Sequence, residues 1–220
     1  MNPETDFSIR PFLGGLDNNF TYLISCSRTG VQVIIDASVK LNAIAEFVKY
    51  YPTAILITHS HRDHIYYLED YLKAYPKMVI LGHPKSEIFS EQDNFQGLEN
   101  DQSFHCGELK FKCMHTPGHY YDSVCYLLKP ALFTGDTMFV GRTGRVVSNR
   151  SNIKDLYESI YNKILIMAGN TRIYPGHDYG EKPSVLLEEN IKASPLLKAK
   201  DLNDFKKRMD NYEKNRKPGS

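Results

Sequence analysis

The chain has 220 residues, of which 41% are hydrophobic and 12% aromatic, enough to bury a sizeable core in one large domain or two small ones. Its 27 basic residues nearly balance its 26 acidic residues, giving a formal net charge of +1. This balance argues against a protein that binds nucleic acid or a membrane surface through bulk charge. Residues 1–12 have no apolar signal core, and no apolar run is long enough to cross a membrane.

The predicted elements of the first half alternate between strands and helices. Residues 19–26 and 31–36 are β-rich and flank a turn, which predicts a hairpin. Apolar residues at helical spacing predict a helix over 41–51. The continuous apolar run TAILITH, residues 53–59, predicts a strand buried on both faces, and residues 64–76 predict a helix.

The second half continues this alternation. Strands are predicted over 78–83 and 108–116, separated by a polar loop from residue 85 to 100. Residues 123–128 and 131–136 predict a second hairpin, 153–167 an amphipathic helix, and 171–177 a last short strand. The remainder is helical and charged, and residues 202–217 predict a solvated helix. We expect one main domain over residues 1–195 and a charged helical tail over 196–220.

The cysteines are scattered along the chain without a CxxC pair: Cys26, Cys106, Cys113 and Cys125. This spacing predicts reduced, buried thiols in a cytoplasmic protein.

Four polar side chains crowd into six residues at the carboxyl end of the buried strand. They form the pattern H-x-H-x-D-H: His59, His61, Asp63 and His64. Ligand sites of α/β folds lie at such strand ends. Imidazole nitrogens and carboxylate oxygens are ligands of zinc and iron, so the cluster predicts a metal site.

Three further candidate ligands also follow strands or Pro-Gly turns. They are His119 in HTPGH, Asp136 in FTGD and His177 in YPGH. Seven ligands suffice for two ions if one is shared. A carboxylate can bridge two cations with its two oxygens, which makes Asp136 the expected bridge.

These four motifs, in this order and at these separations, resemble the metallo-β-lactamase fold superfamily from about residue 12 to residue 195. The resemblance implies an α+β fold, an αββα sandwich of two β-sheets with flanking helices. It also implies one metal ion at His59, His61 and His119, and a second at Asp63, His64 and His177, with Asp136 between them.

The chemistry that the resemblance implies is metal-assisted hydrolysis with two divalent ions. Zinc is the expected ion, with iron or a mixed zinc and iron pair as alternatives. Zinc lowers the pKa of its bound water to about 7, so hydroxide is available at neutral pH. Asp63 is expected to bind metal and also to orient the nucleophile, which would make it a catalytic residue.

The glyoxalase II (hydroxyacylglutathione hydrolase) group is the most similar part of the superfamily, which implies a small-molecule thioester as substrate. The segment FTGDTMFVGRTGR places Arg145 where that group contacts the thiol carrier, with Arg142 as a second candidate. Tyr179 lies beside the last histidine motif and is a third candidate for substrate binding, with ordinary packing as the alternative. The tail is too poor in apolar residues for the C-terminal domain of glyoxalase II, so glutathione stays an open question, as does the oligomeric state.

Other functions within the same fold are alternatives. The sequence also resembles the persulfide dioxygenases, in which His59, His119 and Asp136 would hold one iron as a facial triad. A nuclease is less favoured because the charge is neutral and no RNA-binding arm is appended. A non-catalytic binding module is the least favoured, because every ligand position is filled.

Overall fold

Two six-stranded β-sheets form the centre of the molecule. The structure is a computed structural model that describes residues 6–215. The first sheet contains, in spatial order, β1 (Phe7–Gly14), β2 (Asn19–Cys26), β3 (Gln32–Ile35), β4 (Ala54–Leu56), β5 (Val79–Gly82) and β6 (Phe95–Gly97). The second contains β7 (Ser103–Cys106), β8 (Leu109–His115), β9 (Val124–Leu128), β10 (Ala131–Gly135), β11 (Arg172–Pro175) and β12 (Val185–Leu186).

Parallel pairing brings several strand ends to one edge of the sandwich. β4 lies parallel to both β3 and β5, and β10 lies parallel to β11. The segments that follow these strands therefore leave the sheets on the same side, where ligand sites form. The two hairpins predicted from the sequence are confirmed, since β2 pairs antiparallel with β3 and β9 with β10.

The alternation of side chains along each strand separates an inner core from two outer ones. Leu56 packs between the sheets with Tyr22, Phe111 and Tyr126, whereas its neighbour Ile55 faces the helices outside the first sheet. All four cysteines are buried and unpaired, as predicted.

Within the described residues, six α-helices cover the outer faces: α1 (Leu41–Ile44), α2 (Arg62–Ile65), α3 (Leu68–Ala74), α4 (Ile153–Ser159), α5 (Leu187–Ala193) and α6 (Leu202–Lys214). Helices α1 to α3 pack on the first sheet, through Ile44, Leu68 and Tyr71 among others. Helices α4 to α6 pack on the second, through Leu156 and Leu187 among others. The predicted αββα sandwich is confirmed. Within residues 6–215, no helix combines the length and the apolar content that crossing a bilayer requires.

Two predicted helices are shorter than expected because some of their backbone groups form hydrogen bonds with other segments of the chain and not within the helix. The helix predicted over 41–51 ends at Ile44, and a 3-10 turn follows over Ala45–Phe47. The side chain of Gln32 accepts hydrogen bonds from the N–H groups of Lys49 and Tyr50, which holds that segment extended. The helix predicted over 64–76 is divided into α2 and α3, since the backbone of residue 37 bonds to residues 64 and 67.

Three other elements differ from the sequence prediction. The polar loop predicted over 85–100 contains β6, which pairs with β5. The helix predicted over 153–167 has α4 as its first part and a π-helical stretch, Ile160–Ile164, as its second. The tail forms the predicted helix, but the prediction that it is solvated is wrong for one face, where Phe205 and Met209 of α6 are buried against the second sheet and α4. The predicted domain boundary at residue 195 stays a prediction.

Candidate metal centre

The H-x-H-x-D-H motif begins three residues after the end of β4 and ends inside α2. His59 and His61 lie in the extended segment between the strand and the helix, and Asp63 and His64 lie in the only turn of α2. The change from extended to helical backbone sends the two pairs of side chains in different directions. His59 and His64 are completely buried, whereas His61 and Asp63 are partly exposed.

The fold brings His119 next to the first two histidines. Nε2 of His59 and Nε2 of His119 each lie 3.0 Å from Nδ1 of His61. These three nitrogens form one group that could hold a metal ion.

A second group forms from Asp63, His64 and His177. Nε2 of His177 lies 3.3 Å from Nε2 of His64 and 3.3 Å from Oδ2 of Asp63. His177 follows β11, so the parallel pairing of β10 and β11 brings it to the end of β10, which Asp136 follows.

Asp136 lies between the two groups. Its Oδ1 is 3.2 Å from Nε2 of His64, and its Oδ2 is 3.4 Å from Nε2 of His119 and 3.3 Å from Nε2 of His177. The carboxylate therefore contacts a histidine of each group. The structure brings together all seven side chains that the sequence motifs single out.

The donor set fits divalent metal ions. Nδ1 of His61 faces two imidazole nitrogens at hydrogen-bond distance but can donate or accept only one proton between them. Oδ1 of Asp136 is buried and accepts no hydrogen bond from any residue between 6 and 215. Five imidazoles and two carboxylates turned toward one centre are the donors that zinc and iron accept.

Contacts behind the histidines fix the orientation of the rings. Nδ1 of His119 donates to the carbonyl oxygen of Arg145 at 2.9 Å, and Nδ1 of His177 donates to the carbonyl oxygen of Asp17 at 2.7 Å. Nδ1 of His64 lies 2.8 Å from the carboxylate of Asp36. Each contact leaves Nε2 of that ring directed at the centre, as is usual for histidines that bind metal.

Glycines allow the close approach of the two sheets at this point. A Cβ atom on Gly176 would lie 2.5 Å from Oδ1 of Asp136 and 2.7 Å from Cε1 of His64. Gly135 has a φ of +47°, and a Cβ there would lie 2.6 Å from Thr58. Gly135 of the FTGD motif and Gly176 of the YPGH motif are therefore required by the packing of the centre itself.

The first group of histidines is held neutral. Burial is the main cause that lowers the pKa of His59, His61 and His119, and for His61 the lowered value is about 4. Neighbouring histidines lower these pKa values further, while the charge of Asp136 opposes the shift without reversing it.

The second group is held charged. Burial lowers the pKa of His64 and of His177, but neighbouring carboxylates together outweigh it. Asp136 and Asp36 raise the pKa of His64, and Asp136 and Asp63 raise that of His177 to about 10. Burial likewise raises the pKa of Asp63 and Asp136, yet contacts with His177 and His64 outweigh it and lower both.

A cavity of about 180 Å³ opens onto the centre. Its wall includes His61, Asp63, His119, Asp136 and His177, together with the three predicted substrate residues Arg142, Arg145 and Tyr179. The rest of the wall comes from Asp17, Phe139, Thr143, Val147 and Tyr212.

The three predicted substrate residues differ in their surroundings. The ring of Tyr179 stacks on that of His177 at 4.6 Å between centroids. The guanidinium of Arg142 lies 4.2 Å from the centroid of Tyr179, and its Nη1 donates to Tyr212 at 2.9 Å. Within the part of the chain described here, Arg142 is buried and forms no ion pair, whereas Arg145 is paired with Glu213.

Sequence reasoning missed several residues that support the centre. Asn19 donates to Oδ2 of Asp63 at 2.8 Å, and the buried carboxylate of Asp122 accepts from the N–H of Ser60 at 3.3 Å. Asp36 directly follows β3, a strand end like those that led to His59 and Asp136, so the same signal could have found it. No comparable signal marks Asn19, Asp122 or the residues of α6.

Known proteins resemble this chain in sequence and in structure. The profile of the Metallo-beta-lactamase superfamily matches residues 15–177. The hydroxyacylglutathione hydrolase of Francisella tularensis subsp. novicida is 35% identical over 175 residues, which cover 77% of this chain and 67% of that protein. The probable polyketide biosynthesis zinc-dependent hydrolase BaeB of Bacillus velezensis is 30% identical over 179 residues, 80% of each chain.

The solved structure of ETHE1 from Myxococcus xanthus superposes with a TM-score of 0.82 at 26% identity, covering 96% of this chain and 93% of that one. The resemblance that the four motifs indicated is thus confirmed. With its fold, its groups of side chains that could hold metal ions and a profile match over residues 15–177, the chain belongs to the metallo-beta-lactamase superfamily of enzymes.

Proposed function

We propose that this protein is a metal-dependent thioester hydrolase that holds two divalent ions, with zinc as the expected metal. The observation that supports the proposal most is the arrangement of seven nitrogen and oxygen ligands in two groups with Asp136 between them. Two groups that share one carboxylate are the arrangement expected for a pair of ions. The ligands would be His59, His61 and His119 for one ion, Asp63, His64 and His177 for the other, and Asp136 for both.

The bound ions would supply a hydroxide at neutral pH and Lewis acidity toward the substrate carbonyl. The chain itself contributes orientation and proton transfer. Asp63 faces the cavity, and its Oδ2 is held by Asn19 and His177, which leaves Oδ1 to orient the attacking water. Hydrolysis forms a bond between the oxygen of this water and the carbonyl carbon and breaks the C–S bond. The water gives up one proton and the leaving sulfur takes up one, so the products are a carboxylic acid and a thiol.

Two arginines at the cavity support an anionic substrate. Arg142 is 8% exposed, no ion pair compensates its charge within residues 6–215, and its Nε makes no hydrogen bond. A buried cation without a counter-ion is costly, so a carboxylate of the ligand would stabilise it. Arg145 lies at the mouth of the same cavity, and Tyr179 and Phe139 provide an apolar wall.

The relatives support hydrolysis as the reaction and zinc as the metal. Both the hydroxyacylglutathione hydrolase and the zinc-dependent hydrolase BaeB are hydrolases by name, and BaeB is named for zinc. A small-molecule thioester, whether on glutathione or on another thiol, is the substrate class that these similarities and the two arginines favour together.

A persulfide dioxygenase with one iron is the second candidate, and the similarity to ETHE1 favours it. His59, His119 and Asp136 would then be the ligands, and two histidines with one carboxylate are the set that binds iron for reactions with oxygen. Nε2 of His119 lies 3.4 Å from Oδ2 of Asp136 in support of such a triad.

One experiment separates the two candidates. The protein is purified without chelator, its metal content is measured, and hydrolysis of an anionic thioester is compared with oxygen consumption on glutathione persulfide. Two zinc ions per chain with thioester cleavage are the expected result. One iron per chain with oxygen consumption and no thioester cleavage would overturn the proposal.

A further inference from the structure

Helix α6 is fixed in place against the catalytic sandwich. Asp201 caps its N-terminus by accepting a hydrogen bond from the N–H of Asp204 at 2.9 Å. Phe205 and Met209 are buried in the core outside the second sheet, and Met209 also contacts the hydroxyl of Thr143 at 3.3 Å. The last turn of α6 consequently lies over the loop that carries Arg142 and Arg145.

Two consecutive residues of that last turn bind the two arginines of the cavity. The hydroxyl of Tyr212 accepts from Nη1 of Arg142 at 2.9 Å. The carboxylate of Glu213 accepts hydrogen bonds from Arg145: Nε donates to Oε1 at 3.1 Å and to Oε2 at 3.2 Å, and Nη2 donates to Oε2 at 2.9 Å. Tyr212 itself forms part of the cavity wall.

The contact between Glu213 and Arg145 uses the geometry by which an arginine would bind the carboxylate of a substrate. The Nε and Nη2 edge of a guanidinium presents two parallel donors, and one carboxylate fills that edge. Glu213 therefore occupies the edge that an anionic substrate needs. Arg145 is 43% and Glu213 29% exposed, so the pair lies at the mouth of the cavity, where an incoming ligand can reach it.

We propose that Glu213 is a specificity-determining residue: it is an internal carboxylate that competes with the carboxylate of the substrate for Arg145. The inference rests on the proposed function, since it concerns the substrate of the same cavity. With Glu213 in place, the cavity should be less selective for anionic thioesters than it would be if both arginines were free of an internal carboxylate. Removal of the Glu213 charge should strengthen the binding of anionic ligands and leave the binding of neutral ligands unchanged.

The test uses two thioethers that differ only in charge and cannot be hydrolysed, (benzylthio)acetate and its amide, 2-(benzylthio)acetamide. Their affinities for the metal-loaded protein are measured by isothermal titration calorimetry, for the wild type, for Glu213→Gln and for Asp210→Asn. Asp210 is an exposed residue of the same helix and, among the described residues, makes no hydrogen bond or ion pair with Arg145, so its substitution removes the same charge without freeing the arginine edge. Glu213→Ala serves as a second variant, and circular dichroism checks that both fold.

We expect Glu213→Gln and Glu213→Ala to bind the acetate about fivefold more tightly than the wild type, the size of a partly exposed ion pair. The amide should bind equally to all variants, and Asp210→Asn should match the wild type. In the double variant Arg145→Gln/Glu213→Gln the gain should disappear.

Unchanged or weaker binding of the acetate to Glu213→Gln would overturn the inference. An equal gain for the amide would overturn it as well, because it would show that Glu213 obstructs the cavity sterically and does not compete for the charge of Arg145. Because the probes are not hydrolysed, the result does not depend on turnover. A chain that cleaves no thioester yet shows the selective gain would refute the proposed function and keep the role of Glu213.

Discussion

The carboxylate of Asp36 lies 2.8 Å from Nδ1 of His64, and both side chains are completely buried. The same carboxylate accepts hydrogen bonds from the N–H and the hydroxyl of Thr58, each at 2.8 Å. Asp36 thus joins the segment that leads to His59 to the ring of His64, and so connects one proposed ligand of the first group with one of the second. Residues that orient metal ligands in this way typically affect metal affinity although they do not touch the ion.

Asp36→Asn should weaken metal binding about 10- to 100-fold, because the NH2 group of asparagine, itself a donor, would face the N–H of His64. The affinity is measured by competition with a chromophoric chelator. Asp93→Asn, at an exposed position, is the control. If the affinity of Asp36→Asn equals that of the control, Asp36 has no role in orienting the ligands.

Asp136→Ala should lose both ions, whereas Asp63→Ala should lose one, because Asp136 contacts both groups and Asp63 only the second. The measurement is the number of metal ions per chain after dialysis. Equal losses in the two variants would argue against a bridged pair. In the one-iron alternative, Asp63→Ala would retain its full metal content.

Binding of the two ions should differ in proton release. In the metal-free protein the pKa values of His64 and His177 are raised, the latter to about 10, so both rings are protonated at pH 7. The pKa values of His59, His61 and His119 are lowered, so those rings are neutral. An ion in the second group must displace about two protons and an ion in the first group none.

The affinity for the ion in the second group should therefore rise between pH 7 and pH 10, as His177 loses its proton. Calorimetric titrations of the metal-free protein in buffers with different enthalpies of ionisation measure the released protons. Heats that do not depend on the buffer in either binding step would contradict the expected protonation states.

Arg145→Gln should raise KM for an anionic thioester about fivefold and leave kcat nearly unchanged, because it removes binding that substrate and transition state share. The magnitude is that of a partly exposed ion pair, since Arg145 is 43% exposed and Glu213 already occupies one edge. Steady-state kinetics on an anionic and a neutral thioester give the comparison. An equal rise in KM for both substrates would place the carboxylate site elsewhere.

Phe205→Ala should lower the free energy of unfolding by about 3–5 kcal/mol, as expected for a large aromatic side chain in a closed core. Phe205 is completely buried and packs against Tyr157 and Tyr161. Urea denaturation of the metal-loaded protein measures the change. The control is Lys206→Ala, a substitution at the exposed neighbouring position. A loss below about 1 kcal/mol would support the solvated helix that the composition of the tail suggested.

The local sequence predicted the central strands and the candidate ligands. Alternating and continuous apolar runs need only neighbouring residues to be read, and the two hairpins follow from them. His59, His119, Asp136 and His177 each lie in a short motif beside a strand or turn. The end of a strand is where such side chains become available to a site. For these residues the sequence carried enough information to predict that they converge.

Tertiary structure decided the helix lengths and the wall of the cavity, because the contacts responsible join distant parts of the chain. The side chain of Gln32 holds the backbone at Lys49 extended, so the helix that begins with α1 does not continue. Backbone hydrogen bonds of residue 37 interrupt the helix between α2 and α3. In α6 the apolar side chains of Phe205, Met209 and Tyr212 follow helical spacing, but their low overall content suggested solvation. The bond between Arg145 and Glu213 spans 68 residues, and only the packing of α6 on the second sheet brings a carboxylate to the arginine that was expected to receive one from the substrate.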